Sequence, residues 1–446
     1  MKNFIHYALR DLIDPFYEDK IEILREQMIL KKDTLYFDWT ASGLGSHLVE
    51  KRMLEVLPYY ANTHSNSSKH AMLFQELYEA SKIAIKKALG LGDEFAVIAC
   101  GNGASGAIKK FQELTGIYLP PASRSYVKIK PEKLPLVIVG GFEHHSNEIS
   151  FREGLCELRR IKLRSDFSFD LESLQKLLEE NQGRKIIISC NIISNVTGNL
   201  APYEEIARLG RKYGAVVAFD MATSFSQMKI LPDFFDACFL APHKLLGGVG
   251  SCGLLCIRKN LVDTTLAPSF SGGGVVRYVD RQSQIYKEDI EEREEAGTPP
   301  ILQLFRAILA IKIQNEVGYD FIRNKKSVLM RLFQKELANF PEVKIYGQAN
   351  HYGVLSFNIK GVSPFELAYI LSTNFGIQTR AGCSCAGPYG HDLLELEDHS
   401  YRGEKDPYGW LRVSLHYTHH LEDIERFFFA LKKSVLILNP RLMKGL

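Results

Sequence analysis

AVVAFDMATSF (Ala215–Phe225) and ACFLAPHKLLGG (Ala237–Gly248) decide how this chain folds. Both lie in the stretch Ala215–Gly250, and each opens on a short apolar run, Ala215–Phe219 and Ala237–Leu240. Short apolar runs bounded by turn signals read as parallel strands buried on both faces. The first run ends in Asp220, and the second leads into Ala241-Pro242-His243-Lys244. An acid and a lysine thus stand where neighbouring strands end. In open α/β sheets, ligands bind just outside those ends. By itself the stretch admits a plainer reading, in which Asp220 caps a helix and Lys244 is a solvated loop residue.

Working outward, the same kind of apolar run recurs at Phe95–Ala99, Leu136–Val139, Ile186–Cys190 and Gly253–Ile257. Helical patterns lie between some of them. The clearest is Tyr203–Tyr213, with Ile206, Leu209 and Tyr213 on one face and Gly214 as its stop. Strand–helix alternation of this kind means a mostly parallel sheet covered on both sides. After the charged segment Lys287–Glu295, Ala296-Gly297-Thr298-Pro299-Pro300 opens a long helix carrying Ile301, Leu304, Phe305 and Ile308. Beyond about Asn324 a smaller α+β unit follows, with strands expected at Val343–Tyr346, Val354–Ile359, Ile377–Arg380 and Leu411–His416. Ser363, Pro364 and Glu366 form a capping box for its first helix, and a last helix runs from about Leu421 to Leu438. The division expected is 1–34 as a helical segment packing on the small domain, 35–290 as the large domain, and 291–446 as connecting helix and small domain.

Composition narrows the partners. The 446 residues carry a net charge of +3, and the basic residues are scattered, which argues against nucleic acid and anionic membranes. Eight cysteines in this length do not make a disulfide scaffold. The charged N-terminus lacks the apolar core of a secretory signal, and no apolar run is long enough to span a bilayer. A cytoplasmic location is the default expectation.

Three further strand ends carry chemistry. Cys100-Gly101-Asn102-Gly103-Ala104-Ser105-Gly106 is a small-residue turn into a helix, which suits a phosphate; such turns also occur for packing alone. Glu143-His144-His145-Ser146-Asn147 places two imidazoles at a strand end, where one can lie flat on an aromatic ring. Asn195, in Ser194-Asn195-Val196-Thr197-Gly198, is placed to bond a phenolic oxygen, although Asn before Gly is ordinary in a turn. A lysine for a Schiff base and a carboxylate facing a pyridine nitrogen are what pyridoxal phosphate requires.

Taken in order, the Gly/Ser turn, EHHSN, SNVTG, FD, PHK, SGGG (Ser271–Gly274) and AGTP (Ala296–Pro299) resemble the class V aminotransferase family of pyridoxal-phosphate enzymes. Within it the pattern is similar to cysteine desulfurases and selenocysteine lyases, from Tyr36 to the last helix. The resemblance implies the fold-type I architecture: a large domain with a mostly parallel seven-stranded sheet, and a smaller C-terminal α+β domain. It implies Lys244 as the covalent anchor of the cofactor, Asp220 on the pyridine nitrogen, His144 stacked on the ring and Asn195 on the ring hydroxyl. Ala104, Ser105 and His243 would hold the phosphate, and Thr298 would reach the phosphate of a neighbouring subunit in a homodimer. Arg412, in Trp410-Leu411-Arg412-Val413-Ser414, would clamp the substrate carboxylate.

The stretch Thr379-Arg380-Ala381-Gly382-Cys383-Ser384-Cys385-Ala386-Gly387-Pro388 matches the family's nucleophile loop, with Cys385 at the nucleophile's position. The thiolate is the reactive form, and Arg380 beside it would favour that form. If the segment is extended, Cys383 and Cys385 point the same way. Zinc on Cys383, Cys385 and His391 is disfavoured because Cys-x-Cys is not the usual structural spacing; an inert, structural loop is the other alternative. The chain departs from the family pattern in four places. Ala241 and Pro242 stand where serine and glycine are common before His-Lys, which removes one phosphate hydroxyl. Thr223 replaces a glutamine at the cofactor, Cys383 occupies an unusual position, and the charged stretch His391–Gly409 is long enough for a lid or a docking surface.

The activity implied is desulfuration of L-cysteine or lysis of selenocysteine, with persulfide on Cys385, alanine released and a sulfur-acceptor protein as partner. A transaminase or another amino-acid lyase is the alternative, and a cofactor-binding regulatory protein is the alternative of another class.

Overall fold

The computed structural model describes residues 2–14, 16, 19–399 and 408–443. Its centre is a seven-stranded sheet built from Phe95–Cys100 (β1), Leu136–Val139 (β2), Glu157–Arg160 (β3), Ile186–Asn191 (β4), Val216–Asp220 (β5), Ala237–Leu240 (β6) and Gly253–Arg258 (β7). The strand order is β1-β7-β6-β5-β4-β2-β3. β7 is antiparallel to both its neighbours, and the remaining pairs are parallel. Every strand but β7 therefore ends on the same edge.

The strands read from apolar runs are buried on both faces, as a sheet covered by helices on each side requires. β3 was not among the expected strands. Its sequence, Glu-Leu-Arg-Arg, is charged because it is the sheet's outer edge, where charge discourages pairing with another chain. Register fixes the site: Asn191 pairs with Asp220, and Asp220 with Phe239. The ends of β4, β5 and β6 thus stand side by side.

The small domain is an antiparallel sheet of Val343–Ile345 (β8), Val354–Ile359 (β9), Arg380–Gly382 (β10) and Trp410–Ser414 (β11), in the order β8-β9-β11-β10. The single strand expected at Ile377–Arg380 is two. Ile377–Gln378 pairs in parallel with Leu35–Tyr36, and Arg380 begins β10 after a corner at Thr379. Helices Pro364–Phe375 and Leu421–Leu438 cover this sheet. Ser363 Oγ caps the first by accepting from Glu366 N, and Gly376 ends it in the left-handed region.

Two segments tie the halves together. Phe37 N donates to Gln378 O at 2.8 Å and Ser414 N to Phe37 O at 2.7 Å, so residues 35–38 cross from the large domain onto the small sheet. The helix Lys2–Ala8 lies against Tyr59 and Phe74 through Phe4, and Arg52 donates to its last carbonyls. The helix Lys20–Glu26 instead reaches Asp423 through Arg25 Nη2, at 2.9 Å. No helix among the described residues is long and apolar enough to cross a membrane. Of the charged stretch His391–Gly409, residues 391–394 continue the helix Gly387–Leu394, and residues 400–407 lie outside the described residues.

Candidate active site

At the edge where the strands end, a cavity of about 270 Å³ lies between the central sheet and the small domain. Lys244 ends a tight turn, Pro242–Lys244, after β6. Burial lowers its amine to about 8, with Asp220 pulling the other way and Arg412 adding to the fall. Asp220, 3% exposed at the end of β5, accepts from Ala222 N at 2.8 Å. Burial raises its carboxyl, while that N–H and Lys244 oppose the rise.

His144 lines the same cavity at the head of the helix His145–Arg152, its Nδ1 accepting from Ser146 N at 3.1 Å. Burial first, then Lys244, push it down to about 3, so it presents a neutral ring. The floor beneath is braced by Glu143, whose carboxylate accepts from Gly140 N and Asn191 N. Burial outweighs those donors and raises Glu143 to about 8.

Ala104 and Ser105 stand in the first turn of the helix Gly103–Leu114, where N–H groups point outward without carbonyl partners. Gly103 is required here: its φ is +57°, and a Cβ would lie 2.6 Å from His243 Cε1. The His243 ring therefore packs on bare backbone and closes one side of an anion cradle. Ser105 Oγ and Ser146 Oγ share a hydrogen bond of 2.5 Å. Ser146 was not among the expected residues, yet it brings a hydroxyl to a cradle where Ala241 and Pro242 supply none.

Arg412 is buried on β11, and Arg380 sits half-exposed at the start of β10. Arg412 Nη2 donates to Asp38 Oδ1 at 2.8 Å, and Nη1 to Asn195 O at 3.0 Å. Arg380 Nη2 lies 2.9 Å from Asp38 Oδ2. Asp38 thus bridges both arginines, from the segment that crosses between domains. Removing its charge leaves the buried Arg412 without this counter-charge. Asp38→Asn should lower stability by roughly 3 kcal/mol in urea unfolding, with little contribution from the half-exposed Arg380. A change within about 0.5 kcal/mol would mean that the bridge is not holding Arg412.

The loop carrying Cys385 faces Lys244 and Arg412 from the small domain. It is pinned at three points: His145 N donates to Cys385 O at 2.8 Å, Gly387 N to His145 Nε2 at 2.6 Å, and Asn195 Nδ2 to Ser384 O at 2.8 Å. The expectation that Cys383 and Cys385 share a direction rested on an extended segment, and the segment is not extended. Ser384 and Cys385 have φ of +54° and +56°, and Ala386 N donates to Cys383 O at 3.1 Å, the signature of a type I′ turn. Cys385 is exposed and lines the cavity, whereas Cys383 does not line it. Among the described residues no three His, Cys, Asp or Glu side chains gather as a metal site.

The residues fit pyridoxal phosphate. Among the described residues, Asn191 Oδ1, Asn195 Oδ1 and Arg412 Nε are buried without partners, and all three residues line this cavity. Each would cost about 1–3 kcal/mol if left so, which a polar ligand relieves. An anion cradle, an acid at a strand end and a lysine close to neutrality stand around the same space. Thr223 lines it too, whereas Thr298 lies outside and accepts from Asn62 Nδ2 at 3.2 Å. Asp38 and Asn191 were not read from the sequence. Their local signal is an acid just past a strand and an amide at the last residue of one.

Comparison with known proteins follows the same lines. The family model described as Aminotransferase class-V matches residues 35–427. A probable cysteine desulfurase of Pyrococcus abyssi is 27% identical over 426 residues, covering 93% of this chain and 97% of that one. A cysteine desulfurase of Salmonella agona is 30% identical over 259 residues, 56% of this chain and 62% of that one. Among solved structures, the apo cysteine desulfurase of Thermococcus onnurineus NA1 superimposes with a TM-score of 0.78 at 25% identity, covering 95% of this chain and 98% of that one. The Escherichia coli cysteine desulfurase CsdA, at 19% identity, shares the fold with a TM-score of 0.76, covering 95% of this chain and all of that one.

Proposed function

The chain belongs to the class V aminotransferase family of pyridoxal-phosphate enzymes, and from that premise we propose that it is a cysteine desulfurase. The observation that carries the reading is Cys385, held on a pinned turn in the same cavity as Lys244, Asp220 and Arg412. A transaminase has no use for a thiol there.

When bound, pyridoxal phosphate supplies an electron sink that no side chain offers. The residues do the rest. Ala104, Ser105, Ser146 and His243 would hold the phosphate, His144 would offer the ring a neutral imidazole, and Asp220 would favour a proton on the ring nitrogen. Arg412 takes the substrate carboxylate with the Nε–H that lacks a partner among the described residues. Lys244 Nζ carries the Cα proton, and an amine near 8 both takes and returns it at neutral pH. Cys385 Sγ attacks the Sγ of L-cysteine. The new S–S bond forms as the substrate C–S bond breaks, its electron pair stays with the carbon fragment, and a proton on that carbon gives alanine. A second thiol, on a carrier protein or a small molecule, then removes the outer sulfur. Selenocysteine fits the same scheme.

The proposal includes a homodimer in which Thr298 serves the partner's site. Its support is the place of Thr298 outside its own cavity, beside the exposed Phe270. Light scattering should give a molar mass twice that of the chain, and a fully active monomer would contradict this. The large domain (35–290) and the connecting helix with the small domain (291–446) remain part of the same proposal, as does a cytoplasmic location.

Incubation with a panel of amino acids, with sulfide, selenide, alanine and keto acid measured together, tests the activity. Alanine with sulfide from L-cysteine is expected, and keto acid alone would favour transamination. A pH test is independent of substrate. Lys244 captures the cofactor as a neutral amine, and its value is about 8 where 10.5 is ordinary. Below pH 8 the neutral fraction falls about tenfold per unit. Reloading of the apoenzyme with pyridoxal phosphate should rise with pH and level off near 8; a rise continuing past pH 10 would show that burial does not tune this lysine.

A further inference from the structure

On the far side of the domain seam, the helix Tyr319–Ala338 and the loop around His351 enclose a second cavity, of about 370 Å³. Arg323, Lys326, Met330, Arg331 and Gln334 line it, at three- and four-residue spacing on one helix face. Gln227 faces them from the large domain. The basic groups are unopposed: three basic side chains line the cavity, and among the described residues no Asp or Glu does. Arg323 Nη2 is tied to Asp320 at 3.2 Å, and Arg331 Nη1 donates to Ser327 Oγ at 2.8 Å.

Lys326 is the unusual member. It is 4% exposed, and among the described residues its Nζ has no hydrogen-bond or ion-pair partner. It runs against the bare backbone of Gly353, where a Cβ would meet Nζ at 2.9 Å and Gln227 Oε1 at 2.8 Å. Burial lowers it to about 7. A buried amine without a counter-charge is costly, and a methionine would fill the same stem without that cost. His351, whose Nδ1 bonds Thr197 O, walls the other side.

We propose that this cavity binds a small anion bearing a phosphate or carboxylate group, with Lys326 as its buried counter-charge and Arg323 and Arg331 at its mouth. The bound anion would bridge Gln227 of the large domain to the first long helix after the connecting helix. This site shares no lining residue with the cavity of Lys244, so it stands or falls apart from the desulfurase reading.

The test uses enzyme saturated with pyridoxal phosphate, so that the cradle at Ser105 is already filled. Inorganic phosphate and citrate are titrated separately by calorimetry in a zwitterionic buffer. Saturable binding of at least one of them, at one anion per chain, is expected. Phosphate alone would identify a phosphate-bearing ligand, and citrate alone a carboxylate. Lys326→Met should weaken binding at least about tenfold, the loss of one charged contact. Arg331→Ala, at an exposed position, should weaken it about threefold and keeps the test alive if the first variant does not fold. Absence of binding by both anions up to about 10 mM, or equal affinity in the Lys326 and Arg331 variants, would overturn the proposal.

Discussion

Lys244→Ala is expected to purify colourless and to lose turnover of L-cysteine by on the order of 10³-fold or more. On the proposed mechanism the variant would remove two functions at once, covalent retention of the cofactor and transport of the Cα proton. No other described lysine lines the cavity, so none is placed to take over. The fold should persist, because among the described residues Lys244 makes no side-chain hydrogen bond or ion pair that the structure would lose. Absorbance, borohydride trapping and steady-state rates check the three parts separately. A borohydride-reducible link to a different lysine would remove Lys244 from its role.

Cys385→Ala should abolish persulfide and sulfide formation from L-cysteine while the yellow colour remains. The thiol is exposed, so stability should move by no more than about 0.5 kcal/mol. Cys383→Ala, outside the cavity, should keep a large part of the activity. If Cys385→Ala turned over L-cysteine normally, the transaminase or lyase alternative would become the better account. If it failed on cysteine yet still cleaved selenocysteine, the thiol would be needed for sulfur alone.

Much of this was legible in the chain, for identifiable reasons. The inner strands were readable because a sheet covered on both sides demands unbroken apolar runs, and Leu136–Val139 and Ala237–Leu240 match to the residue. Asp220 and Lys244 were readable because topology puts strand ends together. β3 was not, since an edge strand has no apolar pattern to read. The split at Thr379 was hidden because a corner between two short strands looks like one strand. Asp38 was invisible for a different reason: its partner Arg412 is 374 residues away, and no local pattern encodes that distance. Ser146 stood in a motif already singled out for its histidines, and only the fold turned its hydroxyl toward Ser105.

The turn at Ser384 and Cys385 sets fitness for chemistry against fitness for folding. Left-handed backbone costs a side-chain-bearing residue about 1 kcal/mol or more, and glycine almost nothing. Cys385→Gly would therefore make a sturdier protein with no thiol to accept the substrate's sulfur. A laboratory evolution experiment that rewards heat resistance alone should drift to Cys385→Gly early. One that rewards sulfur release should never accept it, however much stability the rest of the chain has in reserve.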